Sequence, residues 1–75
     1  MPEPIMHIPR RWINTDFGRR YYTEGWQDAL EGREHRYLDV QAHMDLVFQQ
    51  GLAALMAYED GYKAGQAARL QDDST

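Results

Sequence analysis

His35, Asp39 and His43 are spaced four apart, so on a helix they would share one face. Two imidazoles and a carboxylate are a set that can hold a transition metal. No fourth ligand stands at a matching spacing, and the three straddle the expected start of a helix, so they are read as solvated surface residues. No metal and no other cofactor is expected. The acidic pairs Glu59-Asp60 and Asp72-Asp73 are adjacent in sequence, and adjacent side chains do not face each other on a helix. They are therefore poor general acid–base pairs. Nucleophiles are scarce: cysteine is absent, Ser74 is the single serine, and Thr15 and Thr23 suit helix capping and surface roles. The six glycines are interleaved with helix-favouring residues and do not form a phosphate-cradling loop. The expectation is a protein that is not an enzyme.

The elements that would carry these residues are helical. Residues 1–13 contain Pro2, Pro4 and Pro9, each of which fixes φ and pushes its predecessor towards extended chain. An extended N-terminal arm is expected there. Asn14, Thr15 and Asp16 are helix N-cap types, and a first helix is expected over residues 16–31, with Gly32 as its C-cap. A short link leads to Asp39 as a second cap. Val40, Met44, Val47, Phe48, Leu52, Leu55, Tyr58 and Tyr62 then keep to spacings of three and four, as one helical face requires. A second, long helix is expected over residues 40–70, with a break most readily placed between Met56 and Asp60. The organisation is thus an arm (1–13), a helical domain (14–71) and a frayed polar tail (72–75). The fold class is all-α, a small helical hairpin.

An internal repeat stands out. Tyr22-Thr23-Glu24-Gly25-Trp26-Gln27-Asp28-Ala29 matches Tyr58-Glu59-Asp60-Gly61-Tyr62-Lys63-Ala64-Gly65, and Phe48-Gln49-Gln50-Gly51-Leu52 is a weaker third copy. Glycine inside a helix costs about 1 kcal/mol relative to alanine, so the repeats need a reason. Small residues on one stripe let two helix backbones approach closely. Gly25, Ala29 and Gly32 on one helix, with Gly61 and Gly65 on the other, are the expected packing positions, and Gly18 extends the first line by seven residues. Tyr22, Trp26, Tyr58 and Tyr62 would close over the contact.

Residues 25–33, Gly-Trp-Gln-Asp-Ala-Leu-Glu-Gly-Arg, followed by Tyr37, resemble the first helix and turn of ribosome modulation factor. Gly61-Tyr62-Lys63-Ala64-Gly65 is similar to that family's second box. The resemblance covers about a third of the chain and implies a compact pair of antiparallel helices. It also implies binding to the bacterial ribosome. That family is strongly basic, whereas this chain carries a formal charge of -4 and has extra sequence between the boxes.

Charge is unevenly placed. Residues 1–36 hold six arginines balanced by six acids, and residues 37–75 hold the whole excess of four negative charges. An acidic half suits a basic protein surface better than nucleic acid, which asks for a basic stripe. Arg10, Arg11 and Trp12, with Ile13 beside them, combine residue types enriched at interface hot spots. Arg19, Arg20, Trp26, Glu59 and Asp60 complete the expected partner-binding set. At 75 residues a single core supplies roughly 3–5 kcal/mol, so oligomerisation or a partner is an expected staple. The apolar stretches are too short to span a membrane, and residues 1–13 lack the apolar centre of a secretory signal. The sequence therefore predicts a cytoplasmic bacterial or phage protein that binds and modulates a bacterial protein, as a homodimer. The alternative is a ribosome- or RNA-binding protein like the family it resembles.

Overall fold

The computed structural model describes residues 5–73, with side chains as far as Gln71. Residues 1–4 of the expected arm, the side chains of Asp72 and Asp73, and all of Ser74 and Thr75 lie outside the described residues. Four helices and no strand occur among the described residues: α1 (Arg10–Ile13), α2 (Asp16–Leu30), α3 (Val40–Gln50) and α4 (Leu52–Asp73).

The first departure from expectation is α1. Pro9, at φ -58 and ψ 154, sits at the N-cap, and its carbonyl accepts from the amides of Trp12 and Ile13 at 2.9 Å. A proline before a helix loses no hydrogen bond, because the first amides have no helical partner. The chain therefore coils at residue 10 where an extended arm was expected.

α2 begins and ends as its residues dictate. The Thr15 hydroxyl accepts from the Gly18 amide at 3.1 Å. At the other end Gly32 has φ +77. Its amide donates to the Ala29 carbonyl at 3.1 Å, and the Arg33 amide donates to the Asp28 carbonyl at 2.7 Å. This pair of bonds is the Schellman closure that glycine permits. The Asp39 carboxylate caps α3 by accepting from the amides of Gln41 and Ala42.

The second long helix does break, but at Gly51 rather than between Met56 and Asp60. Gly51 adopts φ 96, and a Cβ built there would meet nothing within 4 Å. Its freedom serves the backbone turn alone, so the weak third copy of the repeat is a helix stop and not a packing box. α4 then runs for 22 residues, roughly 33 Å.

The two long helices run in the same direction. Tyr22 lies against Gly61, Trp26 against Gly65, and Gly32 beside Arg69, so the contacts advance together along both chains. The link 31–51, with α3 inside it, carries the chain back to the starting end. The expected antiparallel hairpin gives way to a parallel pair because the break falls at Gly51, which leaves α3 free as the return. The core gathers where α1, the first half of α2, Leu46 of α3 and the first half of α4 meet: Trp12, Tyr21, Tyr22, Leu46, Ala54, Leu55, Ala57 and Tyr58 are buried together. The Cα extents are 41 × 28 × 11 Å. Two stacked helix layers would need roughly 13–15 Å, so the helices lie side by side in a single layer.

Candidate functional site

The glycine–aromatic repeat forms the crossing of α2 and α4. A Cβ at Gly61 would lie 2.8 Å from the Tyr22 carbonyl carbon and 2.9 Å from its Cα, with the carbonyl oxygen closer still. A Cβ at Gly25 would overlap the Tyr58 carbonyl oxygen and lie 2.7 Å from the Tyr62 amide nitrogen. The glycine of each box therefore rests on the first tyrosine's backbone of the other. One turn on, Gly65 faces the Trp26 carbonyl and the Ala29 methyl. Gly25-xxx-Ala29 and Gly61-xxx-Gly65 are thus two small-residue stripes in direct contact. Gly18 and Gly32 share the spacing of seven but not the task. Gly18 passes the Trp12 backbone, and Gly32 closes the helix beneath the Arg69 guanidinium.

A polar network is buried beside the crossing, and nothing in the sequence reading foresaw it. Asp28 is 2% exposed. Its carboxylate accepts from the Tyr58 hydroxyl at 2.6 Å and from Arg36 Nε and Nη2 at 3.1 and 3.2 Å, and the Arg33 guanidinium stands 3.7 Å away. Burial pushes this carboxyl up, but the bonds from Tyr58 and Arg36 outweigh it and hold the group below the usual carboxylate range. The fully buried Tyr58 hydroxyl also accepts from the Arg36 amide at 3.1 Å. Burial, then its bond to Asp28, raises its pKa well above that of a free tyrosine, so it stays a donor. The signal was present in the sequence. Asp28 occupies the box position that Ala64 holds in the second copy, and a helical carboxylate on the packing side needs a buried donor.

The link packs on the same tyrosines. The His35 ring lies 4.8 Å from Tyr58 and 5.3 Å from Tyr62, centroid to centroid. Its Nδ1 accepts from the Tyr37 amide at 3.1 Å. Tyr62 donates to the Arg33 carbonyl at 2.5 Å. His35 is thus built into the aromatic cluster, and no three His or carboxylate groups converge among the described residues.

The expected partner-binding residues divide into two groups. Trp12 and Trp26 are buried in this chain's own packing. Trp12 Nε1 donates to Asp60 at 2.7 Å, and Arg11 reaches the same carboxylate oxygen at 2.5 Å, so Arg11, Trp12 and Asp60 tie α1 to α4. Arg10, Arg11, Arg19 and Arg20 remain exposed, and Glu59 is half-exposed with His35 3.8 Å away. Arg19 pairs with Asp16, and Arg20 approaches Glu24 at 3.9 Å. Such exposed pairs contribute little. The Trp12 bond is part-buried, and Trp12→Phe, which keeps the ring and removes the donor, is expected to cost about 1 kcal/mol in urea unfolding. An unchanged midpoint would mean that Arg11 alone holds Asp60.

Shallow clefts flank the crossing. One of about 450 Å³ is lined by Ala29, Arg33, Tyr62, Gln66 and Arg69. Another of about 410 Å³ lies among His35, His43, Glu59 and Lys63. A different feature is the row of large apolar side chains left at the surface: Val40, Met44 and Phe48 on α3, then Leu52 and Met56 on α4. They are four apart in sequence, with the helical register interrupted at Gly51 between Phe48 and Leu52. Sequence periodicity placed Val40, Met44, Phe48 and Leu52 on a buried face together with Leu55 and Tyr58. Leu55 and Tyr58 enter the core, whereas Val40, Met44 and Phe48 lie on the side of α3 away from the buried Leu46, and Leu52 and Met56 stay at the surface of α4.

No helix among the described residues is long and apolar enough to cross a membrane. Comparison with known protein families, with curated proteins and with solved structures finds no match.

Proposed function

We propose that this chain is a non-catalytic protein-binding module, a small bacterial or phage modulator of a bacterial protein, and that the apolar row on α3 and the start of α4 is its contact surface. The row is the observation that carries the reading. Single exposed apolar residues are ordinary, but three at spacings of four on one helix face, with two more exposed at the start of the next helix, mark an interaction site. The groups with the greatest chemical potential support the same view, because they serve the fold. Asp28 is pinned by three donors, and Asp60 is held by Arg11 and Trp12.

The ribosome-binding alternative asks for cations that can meet phosphate. Arg11, Arg19, Arg20, Arg33 and Arg36 each stand within ion-pair distance of a carboxylate of the same chain. Nucleic acid would have to displace those partners, and the acidic second half would oppose it. The test is capture from bacterial lysate with and without nuclease, comparing the wild type with a Met44→Asp/Phe48→Asp bait. One protein held stoichiometrically despite nuclease, and lost with the double variant, is the expected result. Recovery of ribosomal proteins that vanishes with nuclease would instead establish the alternative.

A further inference from the structure

We infer that the apolar row is covered by a second copy of this chain, so that the working unit is a two-fold dimer joined through α3. This rests on the reading of the row as a contact surface and names its occupant; the bacterial protein is then held by the assembled dimer, and the double variant loses it because the dimer separates.

Shape is the first argument. A domain normally buries its apolar faces between two packed layers. Here the helices form one layer with a Cα thickness of 11 Å. The side of α3 opposite the buried Leu46 is not covered by any of the described residues: Val40 is 72% and Phe48 80% exposed. A second copy stacked on that side supplies the missing layer.

Area is the second. Fully burying a Val, Leu, Phe or Met side chain removes roughly 60–120 Å² from water. At their exposures, Val40, Met44, Phe48, Leu52 and Met56 together present on the order of 300 Å². A standard interface buries about 800 Å² per partner, of which a little over half is apolar. The row therefore supplies more than half of the apolar area of one such interface.

Charge is the third, and it favours a second copy over a charged stranger. Between Val40 and Met56 the only acid or base other than His43 is Asp45, and Asp45 accepts from Gln41 at 2.9 Å. The polar neighbours Gln41, Gln49 and Gln50 are neutral. A two-fold contact places a patch on its own copy, which like charges would oppose. This is the stretch of the acidic half where that opposition is absent, and it offers a strongly charged partner nothing to match.

Light scattering on the eluting full-length chain tests the inference, at about 100 μM and after dilution. The expected mass is twice 8.8 kDa, falling on dilution, with a Tm that rises with concentration as mass action requires. Met44→Asp/Phe48→Asp should keep the helical circular dichroism and raise the dimer dissociation constant by on the order of 30-fold or more. A wild type that stays at 8.8 kDa with a concentration-independent Tm would overturn the dimer, whether or not the variant folds. So would a dimer that the double substitution leaves intact. If the wild type is monomeric but the same substitution abolishes stoichiometric capture of another protein, the dimer is wrong and the binding-module reading stands. If neither mass nor capture responds, both fail.

Discussion

Gly61→Ala and Gly25→Ala are each expected to lower the melting temperature by roughly 10 °C or more, although alanine is the better helix former. Helix propensity alone favours each substitution by about 1 kcal/mol. The new methyl groups meet backbone, however, not a side chain that can rotate away: the Tyr22 carbonyl at Gly61, and the Tyr58 carbonyl and Tyr62 amide at Gly25. Relief requires α2 and α4 to separate along the whole crossing. That loosens the contacts around Tyr22, Tyr58 and Trp26, which are buried beside it. Overpacking of this kind costs about 3 kcal/mol, leaving a net loss of about 2 kcal/mol. In a domain of this size each kcal/mol moves Tm by roughly 4–8 °C. Gly51→Ala is the useful contrast, because a Cβ there meets nothing within 4 Å and only the positive φ is strained. Its expected cost is about 1–2 kcal/mol, without any effect on the crossing. The comparison is made by thermal melts at one fixed concentration. A gain in stability on Gly61→Ala would mean that the two helices do not touch at this point.

Much of this arrangement could be read from residue types. Thr15 and Asp39 marked the helix starts, Gly32 marked an end, and the matched boxes marked the packing stripes. Each is a local signal with a local mechanism. Direction was not legible. Small-residue stripes allow close approach in parallel and antiparallel pairs alike, so the boxes fix which faces meet and leave the sense of the pair open. The choice depends on where the link turns, and that depends on which of several costly glycines relinquishes helical geometry. Gly61 and Gly65 stay helical because partner backbone occupies the space a side chain would fill. Gly51 has no such partner and becomes the turn. For the same reason the apolar periodicity of residues 40–62 misled. The face of one continuous helix is cut at Gly51, and its α3 part, Val40, Met44 and Phe48, turns to solvent. The Arg11–Trp12–Asp60 tie joins residues 48 and 49 apart in sequence and left no periodic trace.

The second large effect is expected at Asp28. Replacing a buried, fully paired carboxylate leaves its donors unmet, and that penalty exceeds the net value of the original pair. In Asp28→Ala the Tyr58 hydroxyl, which is completely buried, loses its acceptor. Arg36 loses two bonds, but its side chain is 45% exposed and can turn to water, which discounts its share. The expected loss is about 2–4 kcal/mol, comparable with the whole stability of a small domain. Asp28→Asn should cost less, because the amide oxygen can still accept from Tyr58, and Tyr58→Phe should cost about 1–2 kcal/mol. A double-mutant cycle between Asp28→Asn and Tyr58→Phe should show coupling, since the two residues share one bond. The pH dependence has a definite sign. Asp28 titrates below the usual carboxylate range in the folded chain, so around pH 4 and below the unfolded chain binds more protons. Its contribution is fully present above the unfolded value and fades as pH falls through that value and then the folded one. Urea unfolding at pH 7 and across pH 5–3 should therefore show a flatter acid loss for Asp28→Asn than for the wild type. Parallel acid profiles would mean that other carboxylates, and not this network, govern acid unfolding.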